Sequence, residues 1–367
     1  MTVQRKKSSR GFSAISIFVL LMIVLGYELF AHQLRGSIYQ TTSRSSAGVL
    51  VTGPLTPHGK VILGVEVFYM LPSTPSISGV LVFFHGCSHG GQDFFILPED
   101  RIVALSALNR GLAVVSPTSN NREHGCWTVN DVSLISEALA AFRKDIGLPA
   151  HLPLMGMGAS SGGAFLFRVY KQIKLKSMVS YIMGLGFDES DITAAASSLP
   201  ATAYVHMPRD EQTSHAVAES MAVLKAANVA TMEWLVQPHP LTPELCDRRL
   251  PELGDRRCHA FLQTVKKKYK GLLKEDDNNV LKSYTNGDWK AAMQESELDI
   301  PIKKVSSHKN SHIKPGQLSS STLHGHAWLW ASMEEEIAVS YAMHEMTAEH
   351  REEVLDFLMI HAGLSVL

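Results

Sequence analysis

Seven short apolar runs, separated by segments with helical apolar spacing, predict an α/β fold with a doubly wound, mostly parallel sheet covered on both faces. The runs occupy residues 61–70, 80–84, 112–115, 152–157, 178–183, 202–206 and 231–236, and segments such as 132–142 and 217–227 lie between them. The composition agrees: 45% of the 367 residues are hydrophobic and 19% charged, enough apolar side chain for a sizeable core. A formal charge of −1 supplies no concentrated basic surface, which removes the usual argument for nucleic-acid binding. In such sheets ligands sit at the carboxyl ends of the strands.

The elements are read in chain order. Residues 1–11 form a basic tip with Arg5, Lys6, Lys7 and Arg10, and residues 12–31 are almost wholly apolar with Glu28 their one charge. Twenty residues at about 1.5 Å rise span roughly the 30 Å of a bilayer core. The expectation is a transmembrane signal anchor with a cytoplasmic N-terminus and the remaining chain luminal or extracellular. A cleaved signal peptide is the rival reading, and both export the body of the protein. A polar stalk follows at 32–47, then the α/β core at 48–239.

Residues 240–321 break the rhythm. The segment is charged, has helical spacing at Phe261, Leu262, Val265, Tyr269 and Leu272, and reads as a lid-like insertion. Its Lys266–Lys270 cluster is read as a solvated helix face. Residues 322–367 return to the core as a histidine loop and C-terminal helices, expected at 333–346 and 348–362 with Thr347 as N-cap of the latter. Export makes the four cysteines candidates for two disulfides, Cys87 with Cys126 and Cys246 with Cys258.

The sharpest chemical signal is Gly158-Ala159-Ser160-Ser161-Gly162 between an apolar strand and a helix-forming run. G-x-S-x-G at that junction is a nucleophile elbow, in which flanking glycines allow the sharp turn that exposes a serine hydroxyl. Ser160 has glycine at both −2 and +2, whereas Ser161 has Ala159 at −2. A phosphate-binding helix N-terminus is the competing reading of the same glycines. An acyl-transfer serine needs a base, an acid that orients it, and oxyanion donors.

Asp210, just past the run 202–206, is the expected acid, with Asp188 the alternative and Glu211 a helix-flanking charge. For the base, His239, His324, His326 and His344 compete after the last strand. His85-Gly86-Cys87 follows the run 80–84, where backbone amides of Cys87 or Ser88, together with that of Ser161, suit an oxyanion hole. His85 itself reads as structural, and His89 as a loop residue. His344-Glu345 with His350 mimics H-E-x-x-H, but its second histidine comes six positions on, so the zinc reading fails. No metal or cofactor is expected.

These stretches together resemble the polyhydroxybutyrate depolymerase and feruloyl esterase branch of the α/β-hydrolases. The resemblance rests on His85-Gly86-Cys87, Cys126-Trp127, the elbow through Gly163-Ala164, and Gly325-His326-Ala327-Trp328. It covers about 78–237 and a short block near 323–330. It implies an α/β-hydrolase fold, a bridge between Cys87 and Cys126, and His326 as the base. His206-Met207-Pro208-Arg209-Asp210 looks like a degraded form of the branch's HGxxD acid motif. The resulting expectation is a membrane-anchored serine hydrolase of small-molecule or polymeric carboxylic esters, with Ser160, Asp210 and His326 as triad. The alternative is a catalytically lapsed hydrolase-fold scaffold.

Overall fold

The computed structural model describes residues 54–74, 76–185, 198–244, 249–250, 254–273, 280–282, 288–296 and 326–366. The basic tip, residues 12–31, the stalk, Asp188, Cys246 and much of the insertion lie outside them. Among the described residues no helix is long and apolar enough to cross a membrane.

Eight strands form one sheet in the order β1-β2-β4-β3-β5-β6-β7-β8. They are β1 His58–Ile62, β2 Val65–Met70, β3 Gly79–Phe84, β4 Leu112–Pro117, β5 Leu154–Ala159, β6 Leu175–Tyr181, β7 Ala201–His206 and β8 Thr231–Leu235. β2 runs antiparallel to both β1 and β4, while β4, β3, β5, β6, β7 and β8 are mutually parallel. The expected single run 61–70 is instead the β1–β2 hairpin. Leu63 and Gly64 both take positive φ, 52° and 84°, the pattern of a two-residue turn that follows strand twist. A leucine there carried no turn signal.

The helices are α1 Pro98–Asn109, α2 Asp131–Asp145, α3 Ser161–Ile173, α4 Glu211–Ala226, α5 Gly254–Lys268, α6 Asp288–Glu295, α7 His326–Tyr341 and α8 Arg351–His361. Side chains alternate across a strand, and β3 shows the consequence. Val80, Val82 and Phe84 pack with α2, α3 and α4, whereas Leu81 and Phe83 pack with α1 and α8. A strand buried on both faces therefore reads as a continuous apolar run, GVLVFF.

The insertion contributes a third apolar cluster. Phe261, Leu262 and Val265 of α5 meet Trp289 and Met293 of α6 and Met333 and Ile337 of α7. Further along α7, Val339 packs into the sheet core, so this helix ties the insertion to the sheet.

The expected helices near the C-terminus are corrected in two places. α7 starts at His326 and ends at Tyr341, because Ala342 turns left-handed at φ 61°. The Met343 amide then donates to the Ala338 carbonyl at 3.0 Å, closing the helix as a left-handed C-terminal turn does. His344 is thereby released from the helix. Thr347 does not cap the final helix: α8 begins at Arg351 after a left-handed His350, and the Thr347 hydroxyl donates to Glu99 at 3.0 Å.

Candidate active site

Parallel strands deliver their carboxyl ends to one edge, and three of them carry the candidate chemistry. β5 ends directly before Ser160, β7 four residues before Asp210, and β3 immediately before His85-Gly86-Cys87. Ser160 holds φ 51° and ψ −116°, a strained conformation for a residue with a Cβ. The glycines explain why the chain tolerates it. A Cβ on Gly158 would lie 2.4 Å from the Gly162 carbonyl oxygen, and one on Gly162 only 1.9 Å from that of Phe84. Both positions need a residue without a side chain.

Ser160 Oγ lies 3.0 Å from His344 Nε2, and His344 Nδ1 lies 2.5 Å from Asp210 Oδ2. Asp210 caps α4, its other carboxylate oxygen accepting from the Thr213 amide at 3.3 Å. Burial pushes the Asp210 pKa up, but hydrogen bonds from Thr213 and His344 outweigh it and hold the carboxyl below its usual range. An ionised Asp210 accepts from Nδ1–H, which leaves Nε2 as the lone-pair nitrogen facing the serine hydroxyl.

The expectation of His326 is corrected: the histidine that joins Asp210 to Ser160 is the alternative, His344. His326 is the first residue of α7, and at about 1.5 Å per residue the helix carries it roughly 22 Å from Tyr341, whose end of the helix leads to His344. His239 is engaged elsewhere: its Nε2 lies 3.2 Å from Glu349 and its amide donates to the Ser340 carbonyl. Asp188, the alternative acid, lies outside the described residues, as does the side chain of His326.

The loop after β3 is held by a chain of contacts. His85 is buried, and burial lowers its pKa to about 4, so its ring is neutral near pH 7. Its Nδ1–H donates to the Gly86 carbonyl at 2.7 Å while Nε2 accepts from the Ser119 amide at 3.0 Å. Trp127 Nε1 donates to the His85 carbonyl at 2.9 Å. A disulfide joins Cys87 to Cys126, the neighbour of Trp127. Cys258 is also oxidised, and Cys246, its expected partner, lies outside the described residues.

Among the expected oxyanion donors, Ser88 is excluded, because its amide donates to the His124 carbonyl at 2.8 Å. Cys87 lines the cavity that contains Ser160, and Ser161 opens α3, where first-turn amides have no partner inside the helix. The cavity has a volume of about 340 Å³. Among the described residues no cluster of three or more acidic, histidine or cysteine side chains suits a metal ion.

A mostly parallel eight-stranded sheet with an antiparallel second strand, and a serine on a strained strand-to-helix turn at its carboxyl edge, is the architecture of the α/β-hydrolase fold. Solved structures similar to this chain include a predicted CIB-like hydrolase from Thermoplasma acidophilum, 18% identical with a TM-score of 0.39, covering 58% of this chain and 99% of that one. Another is Thermogutta terrifontis esterase 2 phosphorylated by paraoxon, 12% identical with a TM-score of 0.40, covering 49% and 82%. A third is Pyrococcus horikoshii acylaminoacyl peptidase, 13% identical with a TM-score of 0.41, covering 62% and 44%. No protein-family model and no curated protein sequence matches the chain.

Proposed function

We propose that this protein is a serine hydrolase of carboxylic esters, with Ser160 as nucleophile, His344 as base and Asp210 as the acid that orients it. The observation that carries the reading is the continuous series from Asp210 Oδ2 through the two His344 nitrogens to Ser160 Oγ. Ser160 Oγ attacks the ester carbonyl while its proton passes to His344 Nε2. The amides of Ser161 and Cys87 receive the oxyanion, each such donor lowering the barrier by about 3–4 kcal/mol. Collapse breaks the ester C–O bond, and the leaving alcohol takes the proton from Nε2. Water then repeats the sequence on the acyl-enzyme, its proton going to His344 and returning to Ser160 as the acid departs.

The bridge between Cys87 and Cys126 and the HGC and elbow motifs are consistent with a depolymerase or feruloyl esterase-like branch. For location, the basic tip and apolar residues 12–31, with the disulfide, support an anchored protein facing an oxidising compartment. Hydrolysis of a short-chain p-nitrophenyl ester by the full chain is the test. Turnover that disappears in Ser160→Ala is the expected result, and equal turnover by that variant contradicts it.

A further inference from the structure

The cavity that holds Ser160 also has an acidic wall. Asp93, Asp100 and Glu345 line it beside His89. Asp100, on α1, is 5% exposed, and its carboxyl group faces that of Glu335 of α7. Glu335 is itself 4% exposed, and neither of its carboxylate oxygens meets a hydrogen-bond donor. One residue earlier on α1 and one later on α7, Glu99 meets Glu336, and there Arg249 stands 3.0 Å from Glu99. On the cavity side the cation is His89, 3.2 Å from Asp93 and already paired with it.

Buried carboxylates without a counter-charge cost several kcal/mol each, and proteins meet that cost by holding a proton or by binding a cation. We propose that Asp100 and Glu345 form a subsite for a positively charged group, so that the preferred substrates are esters carrying an ammonium group. The inference rests on Ser160 being the nucleophile, since it is the shared cavity that turns an acidic wall into a specificity element. A cationic group seated there supplies the missing charge, Glu345 already accepting from the Met346 amide at 2.9 Å, while the ester carbonyl lies at Ser160 in the same cavity.

A pH dependence follows. Burial raises Asp100 to about 7, against the pull of Glu335 and His89, and Glu345 and Asp93 push it the same way as burial. Burial also raises Glu345. His89 is held up to about 9: burial opposes its charge, but Asp93, Glu345 and Asp100 outweigh it, so its charge is constant between pH 6 and 8. The groups facing Asp100 are therefore His89 and Asp93 from the segment after β3, Glu335 from α7 and Glu345 from the loop beyond it. Of these, the carboxyls lose protons as pH rises, and cation preference rises with them.

The test compares butyrylcholine with its uncharged isostere, 3,3-dimethylbutyl butyrate, on the full chain. At pH 8 kcat/KM favours the choline ester by about tenfold or more, the factor that 1.4 kcal/mol of ion pairing yields. The ratio narrows at pH 6, and it narrows in Asp100→Asn and in Glu345→Gln, each checked for cooperative melting. A ratio of one or less at pH 8, or a ratio unchanged in both variants, overturns the subsite. Failure of the underlying reading looks different: neither ester is turned over and Ser160 takes up no fluorophosphonate. In that case titration of choline into the Ser160→Ala protein by calorimetry reads the wall alone, and absence of binding overturns the proposal.

Discussion

Ser160 and His344 are 184 positions apart, yet His344 Nε2 stands 3.0 Å from Ser160 Oγ. Most of that separation is spent on the second half of the sheet and on the insertion, and α7 closes it by ending at the left-handed Ala342. The proposed base is thus placed by a helix terminus outside the sheet, while the proposed nucleophile is placed by a strand end.

The first prediction separates the two histidines. His344→Ala lowers kcat/KM for a neutral ester by about 10³-fold or more, the scale on which loss of a triad base is felt. His326→Ala retains activity near that of the wild type. Steady-state kinetics of the two purified variants decide between them.

The elbow predicts a packing defect. A methyl group on Gly162 would overlap the Phe84 carbonyl at 1.9 Å, and backbone does not yield as a flexible side chain does. Gly162→Ala destabilises the fold by about 1–3 kcal/mol or more, the scale of overpacking and backbone strain. Urea unfolding, or failure to obtain folded protein, reads the effect.

Removing the bridge between Cys87 and Cys126 should cost stability and activity together. The cysteines are 39 positions apart, and the loop-closure model assigns such a bridge up to about 4 kcal/mol. Cys87→Ser with Cys126→Ser lowers the melting temperature, and it lowers kcat because the loop carrying the Cys87 amide loses its tether. Thermal melts and kcat measured on the same preparation test both halves.

His85 predicts acid lability. Its folded pKa of about 4 lies below the ordinary 6.5, so the unfolded chain binds the extra proton first. The stability that neutral His85 confers is fully present above about 6.5 and is lost as pH falls through about 4. The loss amounts to at most about 3 kcal/mol, at 1.36 kcal/mol per unit. Unfolding free energies measured at pH 7, 5.5 and 4.5 should fall in that order. A flat profile would contradict the buried neutral ring.

How much of this was legible in the sequence differs by element, for physical reasons. Gly158, Ser160 and Gly162 were readable because a tight turn restricts residue type at fixed offsets. Asp210 was readable because an apolar strand announces its own end. The base was not, since its place depends on where α7 stops, and an alanine in a left-handed turn leaves no mark. The glycine-histidine-tryptophan block at Gly325 pointed instead to the helix start. Ser88 was expected to offer an amide that a turn to His124 already uses. The buried face shared by Asp100 and Glu335 was also hidden, because acidic residues on helices ordinarily face water, and only packing α1 against α7 reveals otherwise.

The most direct measurement is the mass spectrum of the full chain after exposure to a fluorophosphonate. One adduct is expected, on the peptide containing Ser160, absent from Ser160→Ala and strongly slowed in His344→Ala but not in His326→Ala. An adduct on another serine, equal labelling of Ser160→Ala, or slowing by His326→Ala alone would contradict it.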